Sequence, residues 1–135
     1  MTTLFVDSNV FLRFLTVDDA GQHRQATELF QKAAAGKVDL VTGPPVLFEI
    51  AWTLRSAYRQ SREQVLEVLA AIAALPCLTL VDAPLVEKAI ELARQSGQEF
   101  ADAYIVATAQ QAGASEIATF NQKHFEKLGS KLFRF

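Results

Sequence analysis

Residues 3–15 read TLFVDSNVFLRFL, and this stretch decides how the fold begins. An apolar run with strand character, Leu4 to Val6, is followed at once by the carboxylate of Asp7, and a second apolar run starts at Val10. An acid in this place is unexpected, because burying an unpaired charge is costly in free energy. Asp7 therefore needs either a capping role or a partner.

Beyond this stretch, segments with strand character alternate with segments of helical periodicity. The predicted strands are Thr3–Val6, Val38–Thr42, Leu78–Val81, Ile117–Phe120 and Leu132–Phe135. Strands separated by helices favour parallel pairing through right-handed crossovers. We therefore predict an α/β fold, a three-layer α/β/α sandwich with a central, mainly parallel sheet. A chain of 135 residues with 50% apolar content fits a single domain, residues 1–135.

Capping residues, prolines and glycines mark the helix boundaries. Ser61 and Gln64 form a capping box before one apolar helix. The last long helix is predicted from about Ala101 to Gln111. The other marked boundaries are Gly36 after the helix containing Ala26 and Ala33, Pro44 and Pro45 at a start, Pro76 after an end, Pro84 at a start, and Gly97 at an end.

Composition and charge exclude some classes of protein. The net charge is −2, from 13 Lys and Arg against 15 Asp and Glu, so the overall charge does not indicate nucleic-acid binding. A local basic patch is nevertheless compatible with an acidic total charge. The single Cys77 excludes an intramolecular disulfide and suits a reducing compartment. The N-terminus lacks a signal-peptide pattern, and the longest charge-free stretch, Val68 to Val81, is interrupted by Pro76. We expect a soluble, cytoplasmic protein.

Two further acids share the unexpected placement of Asp7. Glu49 lies in PPVLFEIAWTL, residues 44–54, on a helix with little polar surface to receive a charge. Asp102 lies in EFADAYIVA, residues 99–107, at the start of the last long helix. The sequence therefore places three carboxylates among apolar neighbours.

Each acid also has a purely structural explanation. Asp7 could cap the helix that follows it. Asp102 could interact with the positive end of its helix dipole. Glu49 could pair with a cation such as Arg13 or Arg55. These alternatives stay open at the level of sequence.

If the three acids converge, they require a cation. Two carboxylates ~4 Å apart repel by about 4 kcal/mol at an effective dielectric near 20, so a dry cluster of three does not stay ionised alone. Mg²⁺ or Mn²⁺ suits oxygen ligands of this kind. Zinc is disfavoured because Cys77, His23 and His124 are the only Cys and His residues and none is at ligand spacing.

Four motifs in order give the sequence a family resemblance. They are DSN at 7–9, FEIAW at 48–52, FADAYIVATA at 100–109 and ATFNQKHF at 118–125. Together they resemble the PIN-domain nucleases, in particular the VapC-like toxins of prokaryotic toxin-antitoxin pairs, over nearly the whole chain. The resemblance implies that Asp7, Glu49 and Asp102 are the catalytic and metal-binding residues. They would bind Mg²⁺ or Mn²⁺ and support hydrolysis of RNA by a metal-activated water.

Polar residues near the acids also have expected roles in the reaction. The predicted supports of the acids are Ser8, Asn9, Thr119 and Asn121. The predicted contacts to RNA phosphates are Arg13, Lys123 and His124. Many family members carry a fourth acid where this chain has Asn121, and an amide adds no charge. This departure argues against a second metal ion.

Two alternative functions remain at this stage. The first is a PIN-like module that binds RNA or protein without turnover, for which Asn121 is the motivating observation. The second uses Asp7 as a phosphoryl-accepting nucleophile. The second is disfavoured because such phosphatases usually show D-x-D after their first strand, and receiver domains place acids before their aspartate, whereas residues 1–6 contain none.

The expected partners follow from the resemblance. They are an RNA substrate, a cognate antitoxin that lays a segment into an apolar groove, and a second copy of the chain in a homodimer, with no membrane. The sequence does not identify the RNA target, because proteins that recognise single-stranded RNA or RNA shape carry no short sequence motif for their target.

Overall fold

A computed structural model describes all residues, 1–135. Three strands and seven helices alternate along the chain. In order they are β1 (Thr3–Phe5), α1 (Ser8–Leu15), α2 (Ala20–Ala34), β2 (Asp39–Thr42), α3 (Pro44–Ser56), α4 (Arg62–Ala73), β3 (Leu78–Leu80), α5 (Ala83–Ser96), α6 (Phe100–Gln111) and α7 (Gln122–Lys127). No helix is both long and apolar enough to span a bilayer.

The strands form one parallel sheet in the order β1-β2-β3. The register aligns Leu4 with Leu40 and Leu40 with Leu78. Thr42 is fully buried beyond this row, and its hydroxyl donates to the carbonyl of Val6 at 2.9 Å. The helices pack around a contiguous core of 24 buried residues. The predicted α/β class with a parallel central sheet is confirmed.

The predicted fourth and fifth strands, Ile117–Phe120 and Leu132–Phe135, are wrong. Only one isolated parallel bridge, between Ile117 and Leu132, joins these segments, and neither pairs with β1. Phe120 is 88% exposed, and its ring stacks on Phe135 with centroids 4.5 Å apart. The aromatic side chains that gave these segments strand character therefore pack on each other rather than on the sheet, and β1 remains an edge strand.

Local signals place the helix ends correctly. The capping box is present at α4, where the Ser61 hydroxyl accepts from the Gln64 N–H and the Gln64 side chain accepts from the Ser61 N–H. Gly97 adopts a φ of 71° and its N–H donates to the carbonyl of Ala93, so it caps α5 as predicted. The predicted prolines open α3 and α5. The last long helix begins one residue earlier than predicted, at Phe100.

Ser61→Ala is expected to lower the free energy of unfolding by about 1 kcal/mol, because the substitution leaves a helix N–H without its acceptor. Urea denaturation at neutral pH measures the change. Ser115→Ala is the matched control, because Ser115 is exposed and outside any helix. Equal destabilisation by the two variants would contradict a capping role.

Candidate functional site

Asp7 lies at the carboxyl end of β1, where it caps α1. Its Oδ1 accepts a hydrogen bond from the backbone N–H of Ser8 at 2.7 Å. The capping explanation of Asp7 is therefore confirmed. Its side chain remains exposed beyond β1, at the edge of a parallel sheet where ligands gather.

Ser8 connects this edge to α3. Its side chain is buried, at 8% exposure, and its hydroxyl donates to Oε2 of Glu49 at 2.6 Å. Leu47 and Ile50 on either side of Glu49 are fully buried, so the core holds α3 while Glu49 itself stays exposed. The hydrogen bond spans 41 residues of sequence and brings Glu49 beside the residue that follows Asp7.

The expected cationic partners of Glu49 are engaged elsewhere, so that structural alternative is wrong. Arg55 forms an ion pair with Glu99, with Nη2 to Oε1 at 2.7 Å. This hydrogen bond and the negative charge of Glu99 raise the pKa of Arg55. Arg13 donates from Nε to Oε1 of Gln22 at 2.8 Å. Glu49 consequently has no cation within ion-pair distance, and neither does Asp7.

Asp102 lies in the first turn of α6, where its carboxylate meets α7. Oδ2 of Asp102 and Nδ1 of His124 are 3.1 Å apart. The side-chain amide of Asn121 lies 2.9 Å from the same ring nitrogen. The Asn121 backbone N–H donates to the hydroxyl of Thr119 at 3.0 Å, which shapes the turn before α7. The structure thus joins three of the predicted residues, Thr119, Asn121 and His124, to Asp102 in one chain of contacts.

The three acids do not meet around a common point. Nowhere do three or more His, Cys, Asp or Glu side chains lie close enough to hold one metal ion. Their oxygens suit Mg²⁺ or Mn²⁺ chemically. However, Asp7 is bound to the start of α1, Glu49 to Ser8, and Asp102 to His124. In this arrangement Asp7, Glu49 and Asp102 do not fit a single divalent ion.

The remaining predicted residues form no hydrogen bond or ion pair with the three acids. Asn9 is exposed and lines a groove between α1 and α2 together with Arg13 and Gln22. Lys123 is exposed on α7 and forms no ion pair. Support of the acids by Asn9 and phosphate contacts by Arg13 and Lys123 stay predictions.

An aromatic cluster, whose packing the sequence motifs did not predict, fixes α3 against α6. The ring centroids of Phe48 and Phe100 are 5.4 Å apart, and those of Phe48 and Tyr104 are 5.0 Å apart. Phe48 precedes Glu49, and Phe100 lies two residues before Asp102. Helical periodicity predicts that such rings are buried, but it does not say which helices they join. The cluster sets the separation of the helices that carry the two acids.

Tyr104 is expected to ionise above pH 10.0, the usual tyrosine pKa, because burial raises its pKa and the charge of Asp82 raises it further. A phenol whose pKa is raised by folding stabilises the fold fully below the unfolded pKa. That contribution is lost as pH rises through the folded pKa. Phenolate absorbance of Tyr58→Phe, which leaves Tyr104 as the one tyrosine, measures the midpoint. Asp82→Asn should lower it partway, and a midpoint at or below 10.0 would contradict the effect of burial.

Two contacts at the site have no counterpart in the sequence pattern. Ser8 and Glu49 are 41 residues apart, and Asp102 and His124 are 22 residues apart. All four residues were singled out by the motifs, but their pairing was not. His124 lies against Asp102, and its expected contact to RNA phosphates stays a prediction.

The chain is similar to one protein family and to a solved structure. The family model described as PIN domain matches residues 4–131. Among solved structures, the chain is 26% identical to Mycobacterium tuberculosis VapC20, described as a Sarcin-Ricin loop cleaving toxin. That alignment covers 85% of this chain and 86% of that chain, with a TM-score of 0.43. No curated protein matches the sequence.

Proposed function

Because the chain belongs to the PIN-domain family, we propose that it is an endoribonuclease that hydrolyses phosphodiester bonds in RNA. The observation that carries the proposal is the extent of the match, residues 4–131, which contains all four motifs in order. The acids Asp7, Glu49 and Asp102 are the residues proposed to carry the reaction.

The charge distribution at the sheet edge supports this assignment. Asp7 and Glu49 are exposed carboxylates that no cation neutralises, although the chain has 13 Lys and Arg residues. Ser8 directs Glu49 toward the start of α1 with a hydrogen bond of 2.6 Å. Such placement keeps two acceptors available for a polar ligand.

The chain's own side chains would act in three ways in the reaction. Ser8 would orient the carboxylate of Glu49, and Asp7 would face the same edge while its backbone and one oxygen hold the start of α1. Asp102 would approach from α6 with its orientation set by α7. We assign no step to a metal ion, because the three carboxylates do not fit one ion as they are arranged.

Dependence on Mg²⁺ or Mn²⁺ stays a prediction that rests on the family, and it requires the three carboxylates to come closer together than they lie in this structure. Purified chain, free of any partner protein, is expected to cleave single-stranded RNA with Mg²⁺ or Mn²⁺ and to stop when EDTA is added. Gel separation of an end-labelled RNA measures cleavage. Calorimetric titration with Mn²⁺ tests ion binding without reference to activity. Full cleavage in EDTA would contradict the metal requirement but not the nuclease function, whereas no cleavage under any condition would contradict the nuclease function.

We propose that the cell uses this activity as a VapC-like toxin that a cognate antitoxin neutralises. The ordered motifs and the family match support that proposal. Expression is then expected to arrest growth, with RNA fragments whose sequenced 5′ ends identify the target. Homodimer formation is a further prediction, which light scattering of the purified chain tests.

A second candidate is a PIN-like module that binds RNA or protein without turnover. Asn121 in place of an acid and the separation of the three carboxylates favour it. RNA binding in a filter assay without any cleavage would select this candidate. Cleavage at a rate above that of the Asp7→Asn variant would reject it.

A further inference from the structure

We infer that His124 is a positioning residue for Asp102. Its Nδ1–H holds Oδ2 of Asp102 and so sets the direction in which the carboxylate faces the substrate. The inference rests on the proposed nuclease function. This role differs from the predicted phosphate contact. Positioning requires a proton on Nδ1 of His124, whereas a phosphate contact requires a positive charge.

Hydrogen-bond chemistry decides which atom is the donor. An ionised carboxylate can only accept hydrogen bonds, so at 3.1 Å from Oδ2 of Asp102 the Nδ1 of His124 carries the proton. The side-chain nitrogen of Asn121, Nδ2, lies 2.9 Å from that same Nδ1. Since an NH₂ group is a donor as well, the arrangement that satisfies all three groups turns the Asn121 oxygen toward the ring. One N–H is then shared between Asp102 and Asn121.

The position of His124 is fixed by its surroundings. The next residue, Phe125, is 5% exposed, and Leu128 at the end of α7 is 7% exposed, so both anchor this short helix in the core. On the other side, the bond from the Asn121 N–H to Thr119 fixes the preceding turn. Because the chain is fixed on both sides of His124, the histidine can determine the orientation of the Asp102 carboxylate.

The pair is also accessible to a substrate. The side chain of Asp102 is 22% exposed and that of His124 is 47% exposed. Oδ1 of Asp102 accepts no hydrogen bond, so one oxygen is held while the other remains available. A buried pair with a purely structural role would leave no free oxygen at the surface.

Three substitutions separate positioning from a phosphate contact. Asparagine places an N–H donor close to the position of Nδ1, whereas glutamine places it near Nε2, and lysine supplies charge without either. Under the inference, His124→Gln and His124→Lys lower kcat by about 10- to 100-fold with KM nearly unchanged, and His124→Asn recovers most of the loss. A phosphate contact predicts the reverse order, with lysine retaining activity and the change appearing in KM.

Steady-state kinetics on a labelled RNA and ¹⁵N NMR of the histidine rings provide independent readouts. Support requires the asparagine rescue together with a ¹⁵N spectrum in which Nδ1 of His124 is protonated and Asp102→Asn shifts that signal. Equal losses in the Asn and Gln variants, activity retained by the Lys variant, or an unprotonated Nδ1 would overturn the inference and leave the nuclease function standing. A wild-type chain that cleaves no RNA would overturn both.

Discussion

The Asp7→Asn variant is expected to cleave RNA about 10²- to 10⁴-fold more slowly than the wild-type chain. Its free energy of unfolding should change by less than about 1 kcal/mol. The reason is that asparagine caps a helix as well as aspartate does, so the bond from the Ser8 N–H to the side chain is kept and only the charge is lost. Single-turnover cleavage of a labelled RNA and urea denaturation measure the two quantities.

This substitution separates the two roles of Asp7, because the capping contact alone would leave both measurements unchanged. Asp39→Asn is the matched control, since Asp39 is an exposed acid at the opposite end of the sheet, at the start of β2. Retained cleavage by Asp7→Asn would remove Asp7 from the reaction. Glu49→Gln should lower cleavage by a similar factor, because glutamine keeps an acceptor for the Ser8 hydroxyl and loses only the charge. Glu28→Gln on α2, which changes an exposed acid, is its control.

The features that were predictable from sequence are those decided by neighbouring residues. A capping box needs only Ser61 and Gln64, three positions apart, and the helix end at Gly97 needs only a residue that tolerates positive φ. Asp7 as the cap of α1 belongs to the same class. These interactions form between residues within one helical turn, so they do not depend on where the rest of the chain lies.

Features that depend on distant partners were predicted less well. The segment Ile117–Phe120 has strand-forming residues, but a strand also needs a neighbouring edge, and Phe120 instead stacks on Phe135. The motifs identified Asp102 and His124 separately, yet their contact depends on how α6 and α7 pack. Convergence of the three acids would likewise depend on the packing of distant elements, and the structure does not bring the acids together.

Leu47→Ala is expected to lower the free energy of unfolding by about 2–5 kcal/mol. Leu47 is 0% exposed within α3, so truncation removes buried apolar surface and leaves a cavity in the core. Since domains are typically stable by only about 5–15 kcal/mol, this loss would be a large fraction of the total. Urea denaturation should show a lower midpoint with an unchanged slope.

The same truncation at Leu15 is the control, because Leu15 is 42% exposed at the end of α1, and a cost of about 1 kcal/mol or less is expected. The comparison also bears on the site. Glu49 has no cationic partner, so burial of its neighbours Leu47 and Ile50 is what holds α3 in place beneath it. Cleavage by Leu47→Ala should therefore be lost at lower urea concentrations than cleavage by Leu15→Ala. Equal sensitivity of the two variants would mean that the core around α3 does not determine the position of Glu49.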